Sequence, residues 1–117
     1  MSHLQAQIRA ALTAAMRARD KPAVAALRSA LAALANAEAV PVESMPRAGA
    51  VESSRLGVGA ADAPRHTLTA DEEEAVLAAE IAEREAAITH LEAAAPERTE
   101  ALRREIDVLS ALADQPT

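Results

Sequence analysis

Four charged side chains lie in or beside helical stripes of leucine, isoleucine and valine. Glu38 lies where the apolar repeat of one helix would continue, and Arg84 fills the gap between two isoleucines of a later helix. Glu80 and Glu105 flank similar stripes. Two carboxylates can work together as general acid and general base. Alternatively, charges on a packing face form ion pairs, because an unpaired charge is costly to remove from water.

The rest of the sequence favours ion pairs over catalysis. There is no cysteine, which excludes thiolate nucleophiles and thiolate metal sites. The three histidines lack the spacing of metal ligands, and no glycine-rich phosphate loop or G-x-S-x-G motif occurs. We therefore predict no catalytic residue, metal site or cofactor, and a chain that is not an enzyme on its own. The structural ion-pair candidates are Glu38, Glu80, Arg84 and Glu105, with Arg84 paired to Glu38 or Glu105.

A second group of charged residues is basic and lies near the start of the chain. A nucleic acid or a protein partner could contact these side chains, although solvated helix faces would show the same pattern. With no Phe, Trp or Tyr in the sequence, there is no aromatic platform for base stacking. Contact with RNA would therefore be directed at phosphates or at shape, and it would weaken with salt. The candidate contact residues are Arg9, Arg17, Arg19, Lys21 and Arg28.

Charge is distributed unevenly between the two halves of the sequence. Residues 1–40 carry a net charge of +3 and residues 67–117 a net charge of −9, within a total of −6. The acidic second half argues against a protein that wraps around nucleic acid. A one-sided contact through the basic first half is compatible with this distribution.

The composition indicates helices with a thin core. Alanine accounts for 33 of the 117 residues, while leucine, isoleucine and valine together number 23. Such a low content of large apolar residues would be compatible with disorder, but their helical spacing favours folded helices. No apolar run is long enough to cross a bilayer, so we expect no membrane partner and a cytoplasmic location.

Capping signals divide the chain into four predicted helices. Ser2 and Asp20 are N-cap candidates, and Thr69-Ala-Asp-Glu72 has the pattern of a capping box. The core-facing stripe of the first helix is predicted as Leu4, Ile8, Leu12 and Met16, widened by Ala11 and Ala15. We predict one all-α domain over 1–117, with two antiparallel helical hairpins joined by a long flexible loop. The helices span about 2–19, 22–39, 69–94 and 96–113, and the loop spans 40–67.

Three segments resemble YqeY-like proteins, the family of the GatB/YqeY domain. ALTAAMRARDKPAVAALRSALAALANAE is similar to the first hairpin of that family, LTADEEEAVLAAEIAEREAAITHLEAA to its third helix and REIDVLSAL to its fourth. Two places differ, because Ala95-Pro96 replaces a glycine turn and the usual junction to a second helical domain reads Leu112-Ala-Asp-Gln-Pro116. The positions that match the family pattern are Arg28, Asn36, Glu38, Glu80, Arg84 and Glu105.

The resemblance implies a helical module related to the tail of the B subunit of the glutamine-dependent aminoacyl-tRNA amidotransferase. It therefore implies a binding or accessory role, with tRNA or an amidotransferase complex as partner. A protein-interaction or homo-oligomerisation module without an RNA role is the alternative. Family-level carbon–nitrogen ligase activity with glutamine as amido-N-donor is a further, less favoured, implication.

Overall fold

The computed structural model describes residues 2–39, 66–91 and 93–114, and within these ranges it contains four α-helices and no strand. This confirms the all-α prediction, and no helix end differs from its predicted position by more than three residues. The predicted flexible loop falls mostly on residues 40–65, outside the described residues. The helices are α1 (His3–Ala18), α2 (Lys21–Glu38), α3 (Ala70–Leu91) and α4 (Pro96–Ala113).

Caps fix both ends of α1 and the start of α2. Ser2 and Gln5 form a capping box at the start of α1, in which each side chain accepts a backbone N–H from the other residue. At the other end, Arg19 takes a left-handed conformation with φ of 58°. The carboxylate of Asp20 then accepts the N–H of Ala23 at 3.2 Å and starts α2. Arg19 and Asp20 therefore reverse the chain within two residues.

The predicted capping box at the start of α3 is present. The N–H of Glu72 donates to Thr69 Oγ1 at 3.1 Å, and the N–H of Thr69 donates to Glu72 Oε1 at 2.8 Å. Just before it, the backbone N–H of His66 donates to the carbonyl of Glu38 at 2.7 Å. The end of α2 and the approach to α3 are therefore held together.

Helix α2 is central to the packing. It contacts α1, α3 and α4, and α3 packs along α4, whereas α1 and α3 barely touch. Helices α1 and α3 therefore lie across the diagonal of the bundle. Alanines on α2 let the other helices approach closely, and the largest fully buried side chains are leucines and one isoleucine. These are Ile8, Leu27, Leu34, Leu77 and Leu109.

The predicted stripe of α1 is wrong at its last member. Met16 is 51% exposed, whereas Ala15, which was predicted to widen the stripe, is buried. A helix turns once in about 3.6 residues, so residues spaced by four drift about 40° at each step. Over the three steps from Leu4 to Met16 the drift reaches about 120°, which moves the methionine out of the core.

None of the helices within the described ranges combines the length and apolar content that crossing a bilayer requires.

Candidate partner-binding face

The predicted ion pair of Arg84 is confirmed, with Glu105 as the partner across the α3–α4 hairpin. Arg84 Nε donates to Glu105 Oε1 at 2.8 Å. Arg84 Nη1 also contacts Glu80 Oε1 at 3.2 Å and donates to the Glu80 carbonyl at 2.9 Å. The Ser29 hydroxyl donates to the same Glu80 oxygen from α2. We call these four residues the Arg84 network; it connects α2, α3 and α4.

Burial indicates a packing role for the Arg84 network. The side chains of Arg84, Glu80 and Glu105 are only 12%, 10% and 5% exposed. Arg98 adds a longer contact of 3.8 Å to the second Glu105 oxygen, from a side chain that is 58% exposed. Glu80 Oε1 and both Glu105 oxygens thus contact partners on the bundle helices, which holds the helices in one register.

Glu38, the other predicted partner of Arg84, lies near the start of α1 instead. It is half-buried and its Oε2 accepts a hydrogen bond of 3.2 Å from Gln5 Nε2. Gln5, which no sequence motif singled out, is buried although it is polar. Its position next to Leu4, on the inner face of α1, could have indicated that Gln5 is buried. The Gln5–Glu38 contact closes the open end of the α1–α2 hairpin.

The five predicted contact residues of the first hairpin are all exposed. No carboxylate of the described residues forms a salt bridge with any of them. In contrast, three arginines of the second hairpin, Arg84, Arg98 and Arg104, each contact a carboxylate. In the described structure, these cations of the second hairpin therefore form ion pairs within the protein, whereas those of the first hairpin face solvent. We call this set the basic face: Arg9, Arg17, Arg19, Lys21 and Arg28.

Three members of the basic face surround an open apolar groove. Met16, Val24 and Ala25 line the groove, and Arg19, Lys21 and Arg28 line it as well. Arg9 and Arg17 are not among the lining residues. This groove was not predicted from the sequence, because the repeat in α1 assigned Met16 to the core. We call it the Met16 groove.

A contact between hairpins neutralises the acidic residue at the α1–α2 turn. Arg104 Nη2 of α4 lies 2.7 Å from Asp20 Oδ2. The hydrogen bond from Arg104, and secondly that from the Ala23 N–H, lower the pKa of Asp20 below its ordinary value of 3.8. The same contact raises the pKa of Arg104. Asp20 and Arg104 are 84 residues apart, and no local pattern predicts that they pair.

The opposite end of the bundle has a smaller cleft with an acidic rim. Leu4, Leu77 and Leu112 line it together with Glu73 and Glu74. Nearby, His66 Nε2 lies 3.0 Å from Glu72, and both side chains are about half exposed. The hydrogen bond from the Thr69 N–H, and then the one from His66, lower the pKa of Glu72. Among the described residues, no group of three or more His, Cys, Asp or Glu side chains could hold a metal ion.

Comparisons of the chain with protein-family models, curated proteins and solved structures find no match. The YqeY-like resemblance therefore stays a prediction from the motifs. Function has to be argued from the basic face and the Met16 groove.

Proposed function

We propose that this protein is a non-catalytic helical binding module that contacts tRNA through its basic face. An amidotransferase complex that handles tRNA is the setting that the YqeY-like resemblance implies. Neither partner depends on an active site in this chain. The buried carboxylates Glu80 and Glu105 serve the Arg84 network, so the proposal assigns them no catalytic step.

One observation carries this proposal: the cations of the first hairpin are exposed and make no salt bridge with described carboxylates. Phosphates can neutralise such side chains without first breaking an internal ion pair. Each neutralised phosphate releases counterions, so the affinity should fall linearly with salt on a logarithmic scale. Without aromatic side chains, the contact should show little preference for base sequence.

Titration of fluorescently labelled tRNA over a series of salt concentrations tests the proposal. The variant Arg9→Gln/Arg17→Gln/Arg28→Gln should bind more weakly and with a shallower salt dependence. Each lost phosphate contact should reduce the slope of log K against log salt by roughly 0.7 to 0.9. Absence of wild-type binding even at low salt would refute the tRNA proposal.

A charge-matched pair of variants separates this face from net charge alone. Arg17→Gln/Arg28→Gln removes two positive charges from the basic face, and Arg98→Gln/Arg103→Gln removes two from α4. Only the first pair should weaken tRNA binding substantially. Equal losses from both pairs would show that overall charge, and not the basic face, determines the affinity.

The Met16 groove favours a second candidate, a protein-interaction module without an RNA role. Phosphates make no favourable contact with the apolar side chains of Met16, Val24 and Ala25. A protein partner would bury these side chains and gain hydrophobic free energy. Retained protein association together with absent tRNA binding would support this candidate over the first.

A further inference from the structure

The Met16 groove and the outer face of α3 are complementary in charge. Three cations line the groove: Arg19, Lys21 and Arg28. Helix α3 has one arginine, Arg84, and that side chain points into the bundle. The outer face of α3 therefore carries carboxylates with no lysine or arginine among them. Its exposed acidic residues include Asp71, Glu83 and Glu85.

The outer face of α3 also has the shape to approach the groove closely. Its exposed alanines recur at spacings of four, three and four residues, which places them on one side of the helix. Small side chains allow a second helix to come near, and a methionine adapts to the space that remains. The alanines are Ala75, Ala79, Ala82 and Ala86, all of them exposed.

One molecule cannot make this contact with itself. Helices α1 and α3 lie across the bundle diagonal, so Met16 and the outer face of α3 are on different sides. A second copy brings the two surfaces together and buries Met16. From this complementarity we propose that the protein self-associates, with the Met16 groove of one copy holding the outer face of α3 of the next.

This contact joins two different surfaces, so it is heterologous. Each added copy leaves one groove and one α3 face open, and association continues with concentration unless a ring closes. The opposed charges make the contact sensitive to salt, because exposed charges are screened within about 10 Å at 0.1 M salt. The inference shares Arg19, Lys21 and Arg28 with the tRNA proposal but does not depend on RNA.

Sedimentation equilibrium of the full chain without RNA tests the proposal, with interference optics because the chain lacks aromatic residues. The average mass should rise with protein concentration at low salt and return to that of the monomer at high salt. A wild-type protein that stays monomeric at low salt would refute self-association. An association that salt does not weaken would refute this interface.

Charge reversal on each surface gives a stricter test. Arg19→Glu/Arg28→Glu reverses the groove, and Glu83→Lys/Glu85→Lys reverses the α3 face; each variant alone should be monomeric. Their equimolar mixture should associate again. The native groove of one variant then meets the native α3 face of the other, and the reversed groove meets the reversed α3 face. A mixture that stays monomeric, with both variants folded by circular dichroism, would overturn the proposal.

A control with the same change in charge excludes a general effect. Glu100→Lys/Asp114→Lys adds the same positive charge on α4 and at its C-cap, and both side chains are exposed. This variant should associate like the wild type, and loss of association here would contradict the assigned interface. If self-association fails while labelled tRNA still binds, the tRNA proposal stands and only this inference falls.

Discussion

Arg84 of α3 and Glu105 of α4 form a nearly buried ion pair, with 2.8 Å between Nε and Oε1. Through Glu80 the same arginine reaches Ser29 of α2, so one guanidinium connects three of the four helices. In a bundle without aromatic residues, leucine and alanine could pack in several registers. The Arg84 network selects one of them, because any other register would leave buried charges without partners.

Arg84→Met should destabilise the protein strongly. The substitution leaves Glu80 and Glu105 close together and buried without their cation, which should lower the free energy of unfolding by about 3–5 kcal/mol. Urea unfolding followed by far-ultraviolet circular dichroism measures this loss. Unchanged or increased stability, with well-dispersed amide resonances, would show that Arg84 does not fix the register.

The triple variant Glu80→Met/Arg84→Met/Glu105→Met serves as the control. It removes all the charges of the network, so its stability should equal or exceed that of the wild type. A triple variant as unstable as the single one would show that packing volume, and not charge pairing, is responsible.

The Asp20–Arg104 contact should make stability fall in acid. The pKa of Asp20 is lower in the folded protein than its ordinary 3.8, so the unfolded chain binds the proton first as the pH falls. The contribution is present above that value and is lost as the pH falls through the folded pKa. Asp20→Asn keeps an N-cap side chain but removes the charge, so the difference in stability from wild type should shrink in acid.

Urea unfolding of wild type and Asp20→Asn, at neutral pH and near pH 3, measures this difference. Arg104→Gln removes the larger cause of the lowered pKa and should reproduce most of the effect. Equal pH dependence in wild type and Asp20→Asn would contradict the assignment.

Thr99→Val should stabilise the protein. Thr99 is 2% exposed, and its hydroxyl oxygen has no hydrogen-bond partner among the described residues. Valine has nearly the same shape, so the change removes a desolvation cost of about 1 kcal/mol without opening a cavity. Thermal unfolding should therefore shift upward.

Thr13→Val is the matched control for this change. Its hydroxyl donates to the Arg9 carbonyl on the exposed side of α1. Valine there should leave stability nearly unchanged or reduce it slightly. A similar gain at both positions would point to a general preference for valine and against a buried, unpaired hydroxyl at Thr99.

Local signals in the sequence were enough to predict the helices. Ser2, Asp20 and Thr69 act within one turn of their own positions, so their capping roles can be inferred without tertiary structure. The partner of Arg84 was predictable to two candidates, Glu38 and Glu105, because Arg84 fills a gap in one apolar stripe and both glutamates lie in or beside another. Long-range contacts were harder, since nothing near Asp20 in the sequence indicates that Arg104 will be its partner.

The site was predictable only in part. The cations of the basic face follow from composition, but the Met16 groove depends on how far the repeat in α1 drifts. A four-residue repeat can continue along the sequence although its side chains rotate progressively around the helix. Judging Met16 therefore required the orientation of α1 against α2, which depends on packing.

The contact between the His66 N–H and the Glu38 carbonyl has a consequence for the length of the chain between them. Because this hydrogen bond holds residues 38 and 66 next to each other, the helices do not require a particular length of the segment between them. Closing a loop costs only about 0.6 kcal/mol for each doubling of its length. The helices should therefore tolerate long insertions, deletions or even a grafted foreign domain between residues 39 and 65.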